Sequence, residues 1–321
     1  MIKPILFLTV ITQFVFCKQA DNKHIQNNNN FSSKKEGKNH QLLKDTVRGD
    51  FNKDNKIDYI QILNKSPQEK QVKIFLQREN NKFSESKSFI INDEYFTEVQ
   101  SPLSTLFISK GRPGEIIIGT SCCGNFKTTE IYYYKFIKDN WYLYKTSTST
   151  IDDDFIPKVK IDMNSLSNSI DNKTVDNKNI YNKEIEELKE SSLSNFTKSL
   201  VLLKSASETN TLSKQNTVGL ETVAEWLYFN PLNENNLNDY NDIAYYNSYT
   251  KGGDITSIFL LKEIIEKHPN RVVAYLNLGD SYWSADNKEK AKEAYLKYIE
   301  LMKSQKKDIS KIPQKVYDRT K

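Results

Sequence analysis

The stretch 49–60, GDFNKDNKIDYI, sets Asp50, Asn52, Asp54 and Asp58 at every second or fourth place between two apolar runs. Side chains at alternate places of a tight loop converge on one point, and hard oxygen donors suit calcium, with Lys56 lending only its backbone carbonyl. Asn55 fits the sharp bend of such a loop, because asparagine tolerates the left-handed backbone region. The competing reading is a metal-free Asx turn, since Asp and Asn are common in turns. If an ion binds, all the acidic groups serve as ligands. None is left as a base or nucleophile beside an open coordination place, so the metal is expected to brace the fold rather than to catalyse.

The other residues with chemical potential are badly placed. His24 and His40 lie in a polar tail and His268 in EKHPN, an inter-helix turn, so imidazole base chemistry has little support. GTSCCGN at 119–125 is spaced G-x-S-x-x-G rather than the G-x-S-x-G of a nucleophile elbow, and no histidine is suitably placed. Cys122 and Cys123 are adjacent, so their Cα atoms stand about 3.8 Å apart, below the usual disulfide span. A strained bridge and two buried thiols at a turn are the alternatives. IDDDF at 151–155 reads as a solvated acidic turn.

The elements that must position these residues fall into two halves. With 37% hydrophobic and 12% aromatic residues, the 321-residue chain can fill two compact cores. Its 46 Lys and Arg against 41 Asp and Glu give +5, spread without a basic stripe, which argues against a nucleic-acid partner. From Leu42 to about Ile156 short apolar runs of period two alternate with turns, and TTEIYYYKFI with WYLYKTST across KDN reads as a hairpin. Residues 160–182, rich in Asn, Ser and Asp, read as an interdomain linker. Helical spacing follows, at Ile185, Leu188, Leu193, Phe196 and Leu200, and again in VGLETVAEWLYF.

At the start, a lysine precedes the apolar run Ile5 to Phe16, which is shorter than the roughly 20 residues that span a bilayer and fits the core of a secretory signal. Its junction with Cys17 resembles a bacterial lipoprotein signal, which implies acylation of Cys17, a lipid anchor in a membrane and residence in the cell envelope. A plain signal cut elsewhere is the alternative. Residues 18–41, dominated by Asn, Lys and Ser, read as a flexible tether.

The loop at 49–60 is similar to the cation loops of FG-GAP and VCBS-type repeats, with Asp50, Asn52, Asp54, Lys56 and Asp58 at their ligand places. The resemblance implies a structural calcium ion. There is one copy, so a small antiparallel β domain over 42–159 is expected and a propeller of at least about four blades is not. The domain also resembles that of bacterial envelope proteins ending in an aromatic hairpin, for which DNWYLYKTS stands here.

Residues 274–301, AYLNLGDSYWSADNKEKAKEAYLKYIEL, resemble one tetratricopeptide repeat, with Tyr275, Leu278, Gly279 and Tyr282 on a first helix and Ala291, Tyr295 and Tyr298 on a second. About 34 residues upstream a degenerate copy falls into register, giving two repeats over 238–305, a helical layer over 183–237 and a cap over 306–321. The resemblance implies a concave surface lined by Asp242, Tyr246, Tyr249, Asn277, Asp280 and Trp283 that holds a protein or peptide. The same side chains could instead pack against the capping segments.

The expected fold class is therefore α+β and multidomain, an N-terminal antiparallel β domain followed by a short tetratricopeptide-like solenoid. The expected function is non-enzymatic protein–protein interaction in the envelope. An envelope inhibitor or immunity protein, or a metal-assisted hydrolase using Asp54 or Asp152, are the alternatives, and the latter lacks a paired-carboxylate signature.

Overall fold

The computed structural model describes residues 46–66, 69–92, 105–122, 127–152, 157–166, 168–171, 178–212 and 217–321. The signal segment with Cys17, the tether and Cys123 lie outside these residues, and with them the expected acylation and the Cys122–Cys123 bridge. Among the described residues no helix is long and apolar enough to cross a membrane.

Two antiparallel sheets form the first half, one of four strands and one of five, each running in chain order. The first comprises β1 (Thr46–Gly49), β2 (Asp58–Ser66), β3 (Glu69–Gln77) and β4 (Phe83–Asn92). The second comprises β5 (Thr105–Lys110), β6 (Glu115–Cys122), β7 (Lys127–Ile137), β8 (Asn140–Ile151) and β9 (Pro157–Met163). The β7–β8 hairpin turns on Lys138 and Asp139, with φ of 46° and 67°, and Ile137 pairs with Asn140. Positive φ at both central residues is the turn whose twist matches that of the flanking strands. Ile60, Val72, Ile74 and Leu76 of the first sheet share one apolar core with Ile108, Ile116, Ile118 and Trp141 of the second.

Among the described residues seven α-helices follow: α1 (Lys178–Glu208), α2 (Leu220–Phe229), α3 (Leu237–Asn247), α4 (Asp254–Lys267), α5 (Val272–Ser284), α6 (Lys288–Ser304) and α7 (Gln314–Thr320). The architecture is thus α+β, a two-sheet region followed by helices. A second core runs through all seven, from Phe196 and Leu203 in α1 to Val316 in α7. Gly279 lets α5 approach α6 closely, since a Cβ there would stand 2.5 Å from the Tyr295 ring.

The linker expected at 160–182 is corrected in part. Residues 160–163 belong to β9, whose Val159 and Ile161 pack against the helical core. Leu166 is buried with Tyr142, Tyr144 and Leu188, Ile170 enters the sheet core, and α1 already begins at Lys178. Ile161, Leu166 and Ile170, interleaved with the Asn, Ser and Asp of this stretch, tie its described parts into the cores.

Candidate functional site

The acidic bend between β1 and β2 is built by its own carboxylates. Asp50 accepts from the Asp54 and Asn55 backbone N–H groups at 3.1 Å each, and Asp54 from that of Lys56 at 2.9 Å. Asp58, buried at the start of β2, accepts from the N–H groups of Phe51 at 2.8 Å and Gln77 at 2.9 Å. Lys53 and Asn55 take positive φ, 62° and 63°, which closes the bend. Phe51 is buried, and its carbonyl accepts from Trp141 Nε1 at 2.7 Å, so the bend is tied into the core shared by the two sheets.

Asp50, Asp54 and Asp58 bring one carboxylate oxygen each to within 4.8 Å of one another. Burial, with Asp54 and Asp50 adding like charge, pushes the Asp58 carboxyl up against the opposing pull of the Gln77 and Phe51 amides. An all-oxygen donor set whose members repel one another fits a hard divalent cation. Asp50, Asp54 and Asp58 would hold it, with the Lys56 carbonyl and Asn52, whose amide nitrogen here donates to Asp54 at 3.1 Å. The Lys56 ammonium stands 3.9 Å from Asp54 and offsets part of the charge. Asp152, named for the hydrolase alternative, lies just past the end of β8 and is not in this cluster.

The six residues expected on a helical face have different fates. Asn277 is buried, in the stripe of Ala274, Leu278 and Ser281, so the expectation that it lines an open surface is corrected. Asp280 is taken up by the chain itself: Lys315 Nζ lies 2.8 Å away, Arg319 Nη1 3.1 Å away, and the Tyr295 hydroxyl donates to it at 2.7 Å. Trp283 lies between two cations, the Arg319 guanidinium 4.5 Å from its ring centre and the Lys288 ammonium 4.1 Å from it. Asp242 and Tyr246 are half-buried on α3, whereas Tyr249, just beyond its end, is 54% exposed and Tyr245 38%. The Tyr245 ring stands edge-on to Tyr246 and Tyr249, at 5.3 and 5.1 Å between centres.

The residues missed at this face are Tyr245, Lys315 and Arg319. The signal for the two cations was present in QKVYDRT, where they fall four apart and so on one side of a helix. A polar seam between sheet and helices was also missed. Lys145 of β8 pairs with Glu225 of α2 while lying 3.8 Å from the Tyr133 ring centre. Ser149, on the same strand face, donates to Glu221 at 3.5 Å, and Lys135 pairs with Glu184 of α1. Burial pushes the Tyr133 and Tyr144 phenols up in this seam.

Comparison with family models, with curated proteins and with solved structures finds no match.

Proposed function

We propose that the protein binds a protein or peptide segment on the helical face where α3, α5 and α7 display Tyr245, Tyr249, Trp283 and Arg319, and that it is not an enzyme. The observation that carries this reading is the exposure of Tyr245 and Tyr249 as neighbouring rings. Burying such rings against a partner releases water from large apolar surface, and tyrosines are enriched where binding energy concentrates. The likeness of 238–305 to tetratricopeptide repeats supports the same reading, because first helices of such repeats line one continuous surface. The likeness of the first 17 residues to a lipoprotein signal directs the search for the partner to the bacterial envelope, with the chain held there by lipid on Cys17.

The test is crosslinking in the intact envelope with the wild type and with Tyr249→Ala. A specific crosslinked protein lost in the variant is expected, and an unchanged set of crosslinks removes this face from the role. In the same reading the acidic bend holds a calcium ion that braces the two sheets. Calcium at about a hundred times its dissociation constant adds about 2.7 kcal/mol by mass action, so the melting temperature is expected to rise with calcium and fall with EDTA. An identical melt in both removes the brace.

A further inference from the structure

The last helix has little apolar anchorage. Of residues 303–321 only Ile312 and Val316 are buried, both in the helical core, and the run 305–311 that joins α7 to α6 is exposed throughout. α7 is seven residues long, and a helix shorter than about 12 residues is marginal in water on its own, so its fold depends on being seated. Segments with few buried apolar contacts are the ones that open locally.

Polar contacts to α5 and α6 do the rest of the holding. Lys315 Nζ stands 2.8 Å from Asp280 and Arg319 Nη1 3.1 Å from it. The same guanidinium donates to the Tyr295 hydroxyl at 2.6 Å and lies 4.5 Å over the Trp283 ring centre. Gly279 lets the Tyr295 ring lie against α5, where its hydroxyl donates to Asp280 at 2.7 Å. Carboxylate, hydroxyl and ring face thus make a seat for a planar cation that α5 and α6 build by themselves, α7 supplying only the occupant.

Each of those contacts is one that another chain can bring. Lys315, Val316 and Arg319 stand at places i, i+1 and i+4, which a helix presents on one side. Exchange of α7 for a segment of that pattern keeps Asp280 compensated, whereas simple opening leaves this carboxylate, only 16% exposed, without a counter-charge. The seat therefore favours replacement over vacancy.

We infer that Asp280, Tyr295 and Trp283 form the seat for a basic amphipathic helix of the partner, and that α7 occupies it as a resident competitor until such a segment displaces it. This rests on the helical face being the binding surface, and gives that face a closed state with Arg319 at its rim and an open one. An acidic helix cannot compete, because it would meet Asp280 with like charge.

The first test is amide hydrogen exchange of the full chain. The amides of α7 are expected to exchange at least about a hundredfold faster than those of α5 and α6, through local opening, and equal protection overturns the inference. The second is fluorescence anisotropy of a labelled peptide of residues 311–321 titrated with the full chain at physiological salt. Binding at least about tenfold tighter is expected for the double variant Lys315→Ala, Arg319→Ala, whose own α7 competes less, than for the wild type. Citrulline in place of the peptide's arginine, or Asp280→Asn added to the double variant, is expected to weaken that binding by about tenfold. Equal affinity of wild type and double variant, or indifference to citrulline, overturns the inference. If α7 proves fixed while Tyr249→Ala still abolishes the envelope crosslink, the face binds beside a permanent cap and only this inference falls. If Tyr249→Ala leaves the crosslinks unchanged, the proposed function falls and takes this inference with it.

Discussion

The acidic bend and the helical face solve one problem in opposite ways. In the bend, Asp50, Asp54 and Asp58 are held mainly by backbone N–H groups of their own loop and of β3, and their mutual repulsion remains. On the face, Asp280 is neutralised by Lys315 and Arg319 from a helix 35 and 39 residues further along. Local compensation leaves charge over for an ion, whereas compensation by distant side chains consumes it.

The sharpest way to break the comparison is Asp58→Ala. It leaves the buried amides of Phe51 and Gln77 without acceptors, at about 1–3 kcal/mol each. Denaturant unfolding is expected to show a loss of about 4 kcal/mol, and a loss under about 1 kcal/mol would mean that the bend is not held by its carboxylates.

Next comes the seam joining the two regions. Glu225→Gln leaves the Lys145 ammonium buried without its counter-charge, and a loss of about 3 kcal/mol is expected. The double variant with Lys145→Met is expected to recover most of it. Two separate melting transitions in the single variant would show that this pair couples the sheets to the helices.

At the face, Gly279→Ala drives a Cβ toward the Tyr295 ring and so disturbs the hydroxyl that Asp280 and Arg319 share. A loss of about 1–3 kcal/mol is expected from overpacking, read as a lower denaturant midpoint at constant slope.

The smallest effect concerns Asp171. Its burial works against ionisation, but hydrogen bonds from Asn140, Lys87 and Ser169 outweigh it and hold the carboxyl below its ordinary 3.8. A carboxyl so depressed adds stability above the unfolded value, and that stability is lost as pH falls through 3.8 toward the folded value. Asp171→Asn is expected to flatten the decline that begins near 3.8 and continues below it, by no more than about 1 kcal/mol. A decline as steep as the wild type's would assign the acid sensitivity to other carboxylates.

What could be read from the sequence follows the same division between local and distant. The convergence of Asp50, Asp54 and Asp58 was legible because one short bend and the first residue after it settle it. The β7–β8 hairpin was legible from its aromatic and β-branched strands on either side of KDN, although Asn140 pairs with Ile137 and only Lys138 and Asp139 form the turn. β9 was hidden, because the lysines and aspartate of PKVKIDM blend into the polar run behind it and only the alternation of Val159 and Ile161 marks a strand. The pairing of Lys145 with Glu225 spans 80 residues, and no spacing rule relates residues so far apart. Repeat spacing picked out Tyr246 and Tyr249 but not the exposed Tyr245 between them in space, and that Asp280 was already engaged depended on where the last helix comes to rest.

The three tryptophans happen to report on the three parts separately. Trp141 donates its indole N–H to the acidic bend, Trp226 is sealed in the helical core with Phe196 edge-on, and Trp283 lies between two cations at the face. Emission from a protein keeping only Trp141 would test the proposed ion binding, while one keeping only Trp283 would test the proposed peptide capture. The chain thus contains built-in optical gauges, and each proposal can be tried without attaching a dye.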